Sequence, residues 1–192
     1  MDSIDKVKAH IEKNFTEKRR IHTYGVVKTA LELAEIYGAD PYKAELASLF
    51  HDLYRGVPVN VLNYYVKHLG LDKKYLDNPN LSHGKIAAEI IKRDYGITDN
   101  DIINAVSYHT TGRPNMSLLE KIIYIADAVE PNRNYPGVDK IRKIVKKDLD
   151  EACLTSLSNT INYITSEGIF LDDDTIKAKK YFEEEKEKKN DY

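Results

Sequence analysis

Two adjacent residues, His51 and Asp52, are the strongest candidates for chemistry in this sequence. They follow an apolar run at residues 46–50, near the predicted C-terminal end of a helix. A carboxylate at that end opposes the helix dipole, and burying it without a partner costs several kcal/mol. A cation must therefore compensate Asp52, and the adjacent imidazole favours a metal ion over a lysine.

Asp127 raises the same question more sharply. It lies in the segment 122–129, IIYIADAV, which is apolar apart from this residue and one tyrosine. Aspartate is rarely buried without a partner. A histidine or an arginine partner remains open, but a metal shared with His51 and Asp52 accounts for both carboxylates at once.

Three more histidines complete a possible ligand set. His22 lies on a predicted helix with Gly25 leaving space beside it, while His83 lies near a predicted helix start and His109 near a helix end. Four imidazoles and two carboxylates exceed what one tetrahedral zinc needs, and they come without cysteine. Mixed nitrogen and oxygen ligands favour two divalent metals, iron or manganese, and paired metals suit phosphate-ester hydrolysis.

Each histidine taken alone has an ordinary structural explanation, as a satisfied core or surface residue. His10 and His68 lie among lysines in solvated stretches and receive no role. The single cysteine, Cys153, is interpreted as a small buried hydrophobe that cannot form an internal disulfide. Only the conjunction of the six residues supports a metal site.

Composition limits the classes of protein that this chain can be. Its 192 residues fit one domain, and a net charge of −2, from 29 basic and 31 acidic residues, argues against a general nucleic-acid binder. No stretch approaches the roughly 20 apolar residues of a membrane helix, and the first residues lack the apolar core of a signal peptide. We therefore expect a cytoplasmic protein with no membrane partner.

Apolar residues recur at helical spacing almost throughout, so the sequence predicts an all-α chain. Ser3 is predicted to cap the first helix, and a helix opened by Asp40 and Pro41 to continue past Asp52 and stop before Gly56. The segment 71–80 is predicted to be a loop, and Ser82 to cap the helix that follows it. We expect a single domain at 1–192, with a core at 17–147 and C-terminal helices and a charged tail at 148–192.

The order of these residues resembles a known family. His22, then His51-Asp52, then Asp127 resembles the H…HD…D signature of HD-domain phosphohydrolases, and His83 and His109 resemble its two-metal subset. Over roughly residues 17–145 the sequence also resembles a narrower group, the bacterial YqeK family. The motifs that carry this resemblance are HTYGVV, LFHDLYRG, SHGKIAA and SYHTTGRPNMSLLEKIIYIADAVEPNRNYPGV.

The resemblance implies an HD-type helical bundle with a dinuclear metal site in its core. It implies symmetrical hydrolysis of diadenosine tetraphosphate to two ADP by a metal-bridging hydroxide, with iron as the metal and manganese as the alternative. One metal would be held by His22, His51, Asp52 and Asp127. The second would be held by His83, His109 and a bridging Asp52. A homodimer through the apolar C-terminal helices is also implied.

Several cationic residues are candidates for contacts to the substrate. Lys85 and Arg133 are predicted to neutralise the departing ADP, and Arg20 and Arg55 are predicted to reach the opening of the same site. Tyr135 is predicted to stack on adenine. The ordinary alternative for each cation is an ion pair with a nearby carboxylate.

Three other functions remain open at this stage. A nucleotide monoester phosphatase would use the same site and would need room for only one nucleotide. A nucleotide-sensing module would bind metal and ligand without useful turnover. A structural helical protein with no site would leave Asp52 and Asp127 unexplained.

Overall fold

The computed structural model describes residues 2–190, which form ten α-helices, a short 3-10 helix at Lys73–Tyr75 and no strand. The predicted all-α class is therefore confirmed. The helices are α1 (Ser3–Asn14), α2 (Glu17–Tyr37), α3 (Pro41–Phe50), α4 (Val59–His68), α5 (Pro79–Tyr95), α6 (Asn100–Tyr108), α7 (Leu118–Val129), α8 (Val138–Ile144), α9 (Leu149–Ser166) and α10 (Asp173–Asn190). None of these described helices is long and apolar enough to cross a membrane.

Helix α7 is the centre of the bundle. It is apolar on nearly every face, and such a helix is stable in water only when neighbours surround it. It packs against α2, α3, α6, α8 and α9. Because α2, α3 and α6 also pack on one another or on α7, the middle of this bundle is where side chains from several helices can meet.

The C-terminal helices pack on the same core. Helix α9 packs against α7 and α8, α10 packs against α9, and Leu157, Ala178 and Phe182 belong to the main apolar cluster. The C-terminal end, predicted as a helix that fades into a charged tail, is helical to Asn190, with Lys186 Nζ 2.8 Å from Glu151 Oε2. The rest of the predicted tail, 191–192, lies outside the described residues.

Three predicted helix boundaries are wrong. The side chain of Asp2, not Ser3, caps α1 by accepting from the Asp5 amide at 3.0 Å. Helix α5 starts at Pro79 and not after Ser82, because proline suits a first helical position, where no amide donor is needed.

The third boundary places the residues of greatest interest. Helix α3 ends at Phe50, and the chain continues in tight turns in which the Leu53 amide bonds to Phe50 O at 3.1 Å and the Arg55 amide to Asp52 O at 2.9 Å. His51 and Asp52 therefore lie just past the helix end, where successive side chains can point into the same space.

The start of α7 provides a test of local stability. Ser117 Oγ accepts from the Glu120 amide at 3.1 Å, while Glu120 Oε2 accepts from the Ser117 amide at 2.7 Å. We expect Ser117→Ala to lower the free energy of unfolding by about 1 kcal/mol, because it leaves a helix-end donor unpaired. Urea denaturation measures this. Ser158→Ala, which removes only a bond to its own helix, is the control and should unfold at the wild-type midpoint.

Candidate metal centre

The predicted ligands come together in the middle of the bundle. Five different places in the fold supply them: the second turn of α2, the turn after α3, the second turn of α5, the end of α6 and the last turn of α7. In that order they contribute His22, His51 with Asp52, His83, His109 and Asp127. All four histidines and Asp52 are buried, and Asp127 is partly buried.

Backbone carbonyls fix the orientation of three imidazole rings. The Nδ1 atoms of His51, His83 and His109 lie 2.5, 3.0 and 2.8 Å from the carbonyl oxygens of Ser48, Pro79 and Val106. A carbonyl can only accept, so each Nδ1 carries the proton. In the neutral rings each Nε2 then presents a lone pair to the interior, as a metal ligand does.

The Nε2 atoms face one another in two pairs. His83 Nε2 lies 3.0 Å from His109 Nε2, and His51 Nε2 lies 3.3 Å from His22 Nε2. Gly84 permits the first approach, since a Cβ there would lie 2.9 Å from His109 Cε1. When the His83 ring is neutral, its Nε2 lone pair faces two other acceptors, His109 Nε2 and Asp52 Oδ1. A cation placed among these atoms would stabilise all three.

Asp52 lies between the two pairs and turns one oxygen towards each. Its Oδ1 is 3.2 Å from His83 Nε2 and 3.8 Å from His109 Nε2. Its Oδ2 is 3.4 Å from His22 Nε2 and 3.5 Å from His51 Nε2. Two groups of three ligand atoms, each group within 4.8 Å, thus share this carboxylate. The donor set of both groups fits the binding of a divalent metal ion.

Asp127 joins the group that contains His22 and His51. Its Oδ1 lies 3.1 Å from His22 Nε2 and 4.0 Å from His51 Nε2, and it also pairs with Arg133. The sequence left open whether Asp127 pairs with an arginine or with a histidine, and in the structure it contacts both kinds of residue. Asp127 has the position of a fourth protein ligand for this group.

Charge is tightly coupled across the cluster. Burial lowers the pKa of His22, but hydrogen bonds to Asp127 and Asp52 outweigh it and raise that pKa to about 9. Burial would raise the pKa of Asp52, yet His51, His22 and His83 hold that pKa well below its ordinary value. Burial lowers the pKa of His109 to about 3. Without a metal, Asp52 and Asp127 therefore stay ionised and His109 stays neutral, as ligands must, whereas His22 carries a proton that a metal ion would displace.

The structure adds Glu130, which the sequence analysis missed. Its Oε1 lies 3.2 Å from His22 Nδ1, and its Oε2 accepts from the Asn132 amide and side chain at 2.7 and 3.0 Å. A Cβ on Gly25 would lie 2.5 Å from Glu130 Oε2, so the space noticed beside His22 belongs to this carboxylate. A carboxylate behind a ligating histidine orients the ring and makes it more basic.

The cations around the cluster differ from those expected. Arg19 pairs with Asp52 Oδ2, whereas Arg20 turns away to the Glu12 carbonyl at 3.2 Å. Adjacent helical residues point about 100° apart, so only one of the two can face the cluster. Arg55 donates to Asn80 Oδ1 at 2.7 Å at the edge of the same space.

A cavity of about 290 Å³ opens over the ligands. Its lining includes Arg19, Arg55 and Arg133 together with Asp52, Asp127, His83 and His109. Three guanidinium groups together with two carboxylates and two imidazoles form a site suited to a polyanion.

Lys85 has a different position from the predicted one. Its Nζ lies 3.4 Å from the centre of the Tyr108 ring, and burial lowers its pKa to about 8. Two residues beyond His83 on α5, it points towards another face of the helix and forms a buried cation–π contact.

The fold and the site together define a class. A helical chain that brings H, HD and D residues from successive elements to one buried cluster has the HD arrangement, and the HD domain model matches residues 19–132. The chain belongs to the HD domain family, a family of phosphohydrolase domains, and the predicted resemblance is confirmed.

Curated relatives carry a narrower name. The chain is 45% identical over 157 residues to "Bis(5'-nucleosyl)-tetraphosphatase, symmetrical" of Bacillus subtilis (strain 168), covering 81% of this chain and 84% of the relative. It is 34% identical over 183 residues to the protein of the same name from Staphylococcus aureus (strain NCTC 8325 / PS 47), covering 94% of each.

A solved structure shares this fold over most of its length. It is described as a predicted HD superfamily hydrolase involved in NAD metabolism from Clostridium acetobutylicum. The TM-score is 0.89 at 43% sequence identity, and the match covers 94% of this chain and 97% of that one.

Metal binding should stabilise the fold. We expect chelator-treated protein to gain stability when Mn²⁺ is added, by about 2.7 kcal/mol at a free concentration 100 times the dissociation constant. Thermal unfolding with and without Mn²⁺ measures the gain. His109→Ala should lose most of it, while His68→Ala, at an exposed histidine on α4, should keep it. An unchanged melting temperature in the wild type would contradict a metal centre.

Glu130 should tune metal affinity without touching the metal. We expect Glu130→Ala to weaken Mn²⁺ binding by about 10- to 100-fold, because His22 loses its orienting acceptor. Glu130→Gln keeps an acceptor oxygen and should recover part of the affinity. Calorimetric titration measures both, with the exposed Glu167→Ala as control. Wild-type affinity in Glu130→Ala would show that its contact with His22 has no effect on the ligands.

Proposed function

We propose that this chain hydrolyses dinucleoside tetraphosphates symmetrically, with diadenosine tetraphosphate as substrate and two ADP as products. The observation that carries the proposal is the Asp52 carboxylate, which turns one oxygen to each of two histidine pairs. The relatives named for this reaction, at 34–45% identity over most of the chain, support the substrate.

The metal we propose is iron, with manganese as the alternative. The ligand set combines imidazole nitrogens and carboxylate oxygens and contains no thiolate, which favours these ions over a structural zinc. Two such ions, when bound, polarise phosphoryl oxygens and lower the pKa of a water towards neutrality.

The chain's own cations would hold the polyphosphate. Arg19 and Arg133 each contact one ligand carboxylate and keep further N–H donors for phosphate oxygens. Arg55 lines the same cavity. These three groups can neutralise charge that develops on departing ADP. Lys85 and Arg20 are engaged at Tyr108 and Glu12 and are not assigned to this task.

The proposed reaction adds one water to the tetraphosphate. The water oxygen bonds to a β-phosphorus, and the bond between that phosphorus and the central bridging oxygen breaks. The bridging oxygen leaves with the second ADP, and one proton is released to the medium. Both products carry two phosphates because the central linkage is the one that breaks.

The predicted homodimer stays a prediction. Ile169, Phe170 and Ile176 expose roughly half of their surface around the start of α10, which is compatible with an apolar contact between copies.

Product analysis tests the proposal directly. Wild-type protein incubated with diadenosine tetraphosphate and ferrous or manganous ion should release ADP alone. Asp52→Ala should lower kcat/KM by about 10³-fold, because metal ions contribute several kcal/mol of transition-state stabilisation. Asp94→Ala is the matched control, since Asp94 is an exposed carboxylate paired with Arg93 at 2.5 Å.

The alternative outcomes are separable. ATP plus AMP would keep the metal centre but contradict cleavage of the central linkage. Absence of turnover with either metal, despite metal and nucleotide binding, would favour the sensing module over an enzyme.

A further inference from the structure

A second cavity adjoins the metal centre, and none of the residues that line it is a candidate metal ligand. It lies between the loop after α7 and helix α9 and has a volume of about 620 Å³. Arg133 lines both this cavity and the one over the ligands. The size is that of a small-molecule site, and Arg133 connects it to the place where phosphates would lie. We call it the α9 cavity.

The lining of the α9 cavity matches the chemistry of a nucleoside. The Tyr135 hydroxyl donates to Ala128 O at 2.9 Å, which fixes its ring in the wall, and Tyr163 is 61% exposed. Asn159 and Asn162 add two amides, each with donor and acceptor atoms. Rings that stack and amides that pair with base edges are how proteins hold purines.

Another flank of the metal centre has a different character. A cavity of about 420 Å³ there shares Arg19 and Arg133 with the central one. Its other lining includes Glu17, Lys18 and Glu130, and none of the described residues that line it is tyrosine or phenylalanine. It offers charge to a phosphate or ribose but no tyrosine or phenylalanine ring on which a base can stack.

We propose that the α9 cavity binds one nucleoside of the substrate, with Tyr135 and Tyr163 stacking on the base and Asn159 and Asn162 contacting its edges. The second nucleoside lies against the charged flank and is held less tightly. This inference rests on the proposed function, because it names the part of the chain that holds half of a dinucleoside polyphosphate.

Unequal subsites have a consequence for substrate choice. Adenosine 5′-tetraphosphate, with a single base, should occupy the α9 cavity and still be hydrolysed. Water adds to the β-phosphorus, the bond to the oxygen that bridges to the γ-phosphorus breaks, and pyrophosphate leaves with that oxygen. The products are ADP and pyrophosphate, with one proton released.

The test measures ADP binding to the full chain loaded with Mn²⁺, by calorimetry. Asn159→Leu and Tyr163→Ala, both at exposed positions of α9, should each weaken ADP binding by about tenfold and leave pyrophosphate binding unchanged. Thr165→Leu on the same helix and Tyr64→Ala on α4 are matched controls outside the cavity. In turnover, KM for diadenosine tetraphosphate should rise in the two cavity variants while kcat stays within about twofold.

The outcomes separate this inference from the proposed function. If the wild type cleaves diadenosine tetraphosphate but both cavity variants bind ADP normally, the α9 subsite is overturned and the activity stands. If the wild type does not cleave it, the proposed function falls, and ADP binding still decides the subsite. If the cavity variants then bind ADP more weakly than the wild type, the α9 cavity is supported as a nucleotide site. If the wild type does not bind ADP at all, the subsite is overturned.

Discussion

The rest of the site depends on the Asp52 carboxylate, which is buried at the meeting point of four imidazole rings. One oxygen faces the His83 and His109 pair, and the other faces the His22 and His51 pair. Burying an ionised group requires compensation by charge and hydrogen bonds of good geometry. The surrounding helices bring imidazole nitrogens to both faces of this side chain, where a bound cation would compensate its charge.

Helix ends provide much of the required precision. The last four carbonyls of a helix lack an intrahelical partner. Ser48 O and Val106 O, in the last turns of α3 and α6, accept from the Nδ1 atoms of His51 and His109. Groups that a helix would otherwise leave to water thus set the ring orientations. His22 differs from them, because its Nδ1 faces the Glu130 carboxylate, so the two halves of the centre are electronically unequal.

The same inequality continues outwards from the ligands. One flank is lined by carboxylates and cations, and the other by tyrosine rings and asparagine amides, with Arg133 at the junction. A substrate with two identical halves therefore meets two different surfaces. If one nucleoside occupies the α9 cavity as proposed, the distance from that cavity to the metal centre, and not any symmetry of the protein, decides which linkage is cut.

The sequence by itself determined the all-α class, because apolar residues recur at helical spacing. It also determined the family, because a carboxylate such as Asp127 stands out within such an apolar helix. It also predicted all six residues that meet in the centre. Only the tertiary structure decided that Arg19 rather than Arg20 faces Asp52, that Lys85 contacts Tyr108, and that Glu130 reaches His22 across 108 positions of the chain. Periodicity identifies which face of a helix is buried. The direction of a long charged side chain depends on helix phase and on the neighbours that packing brings to it.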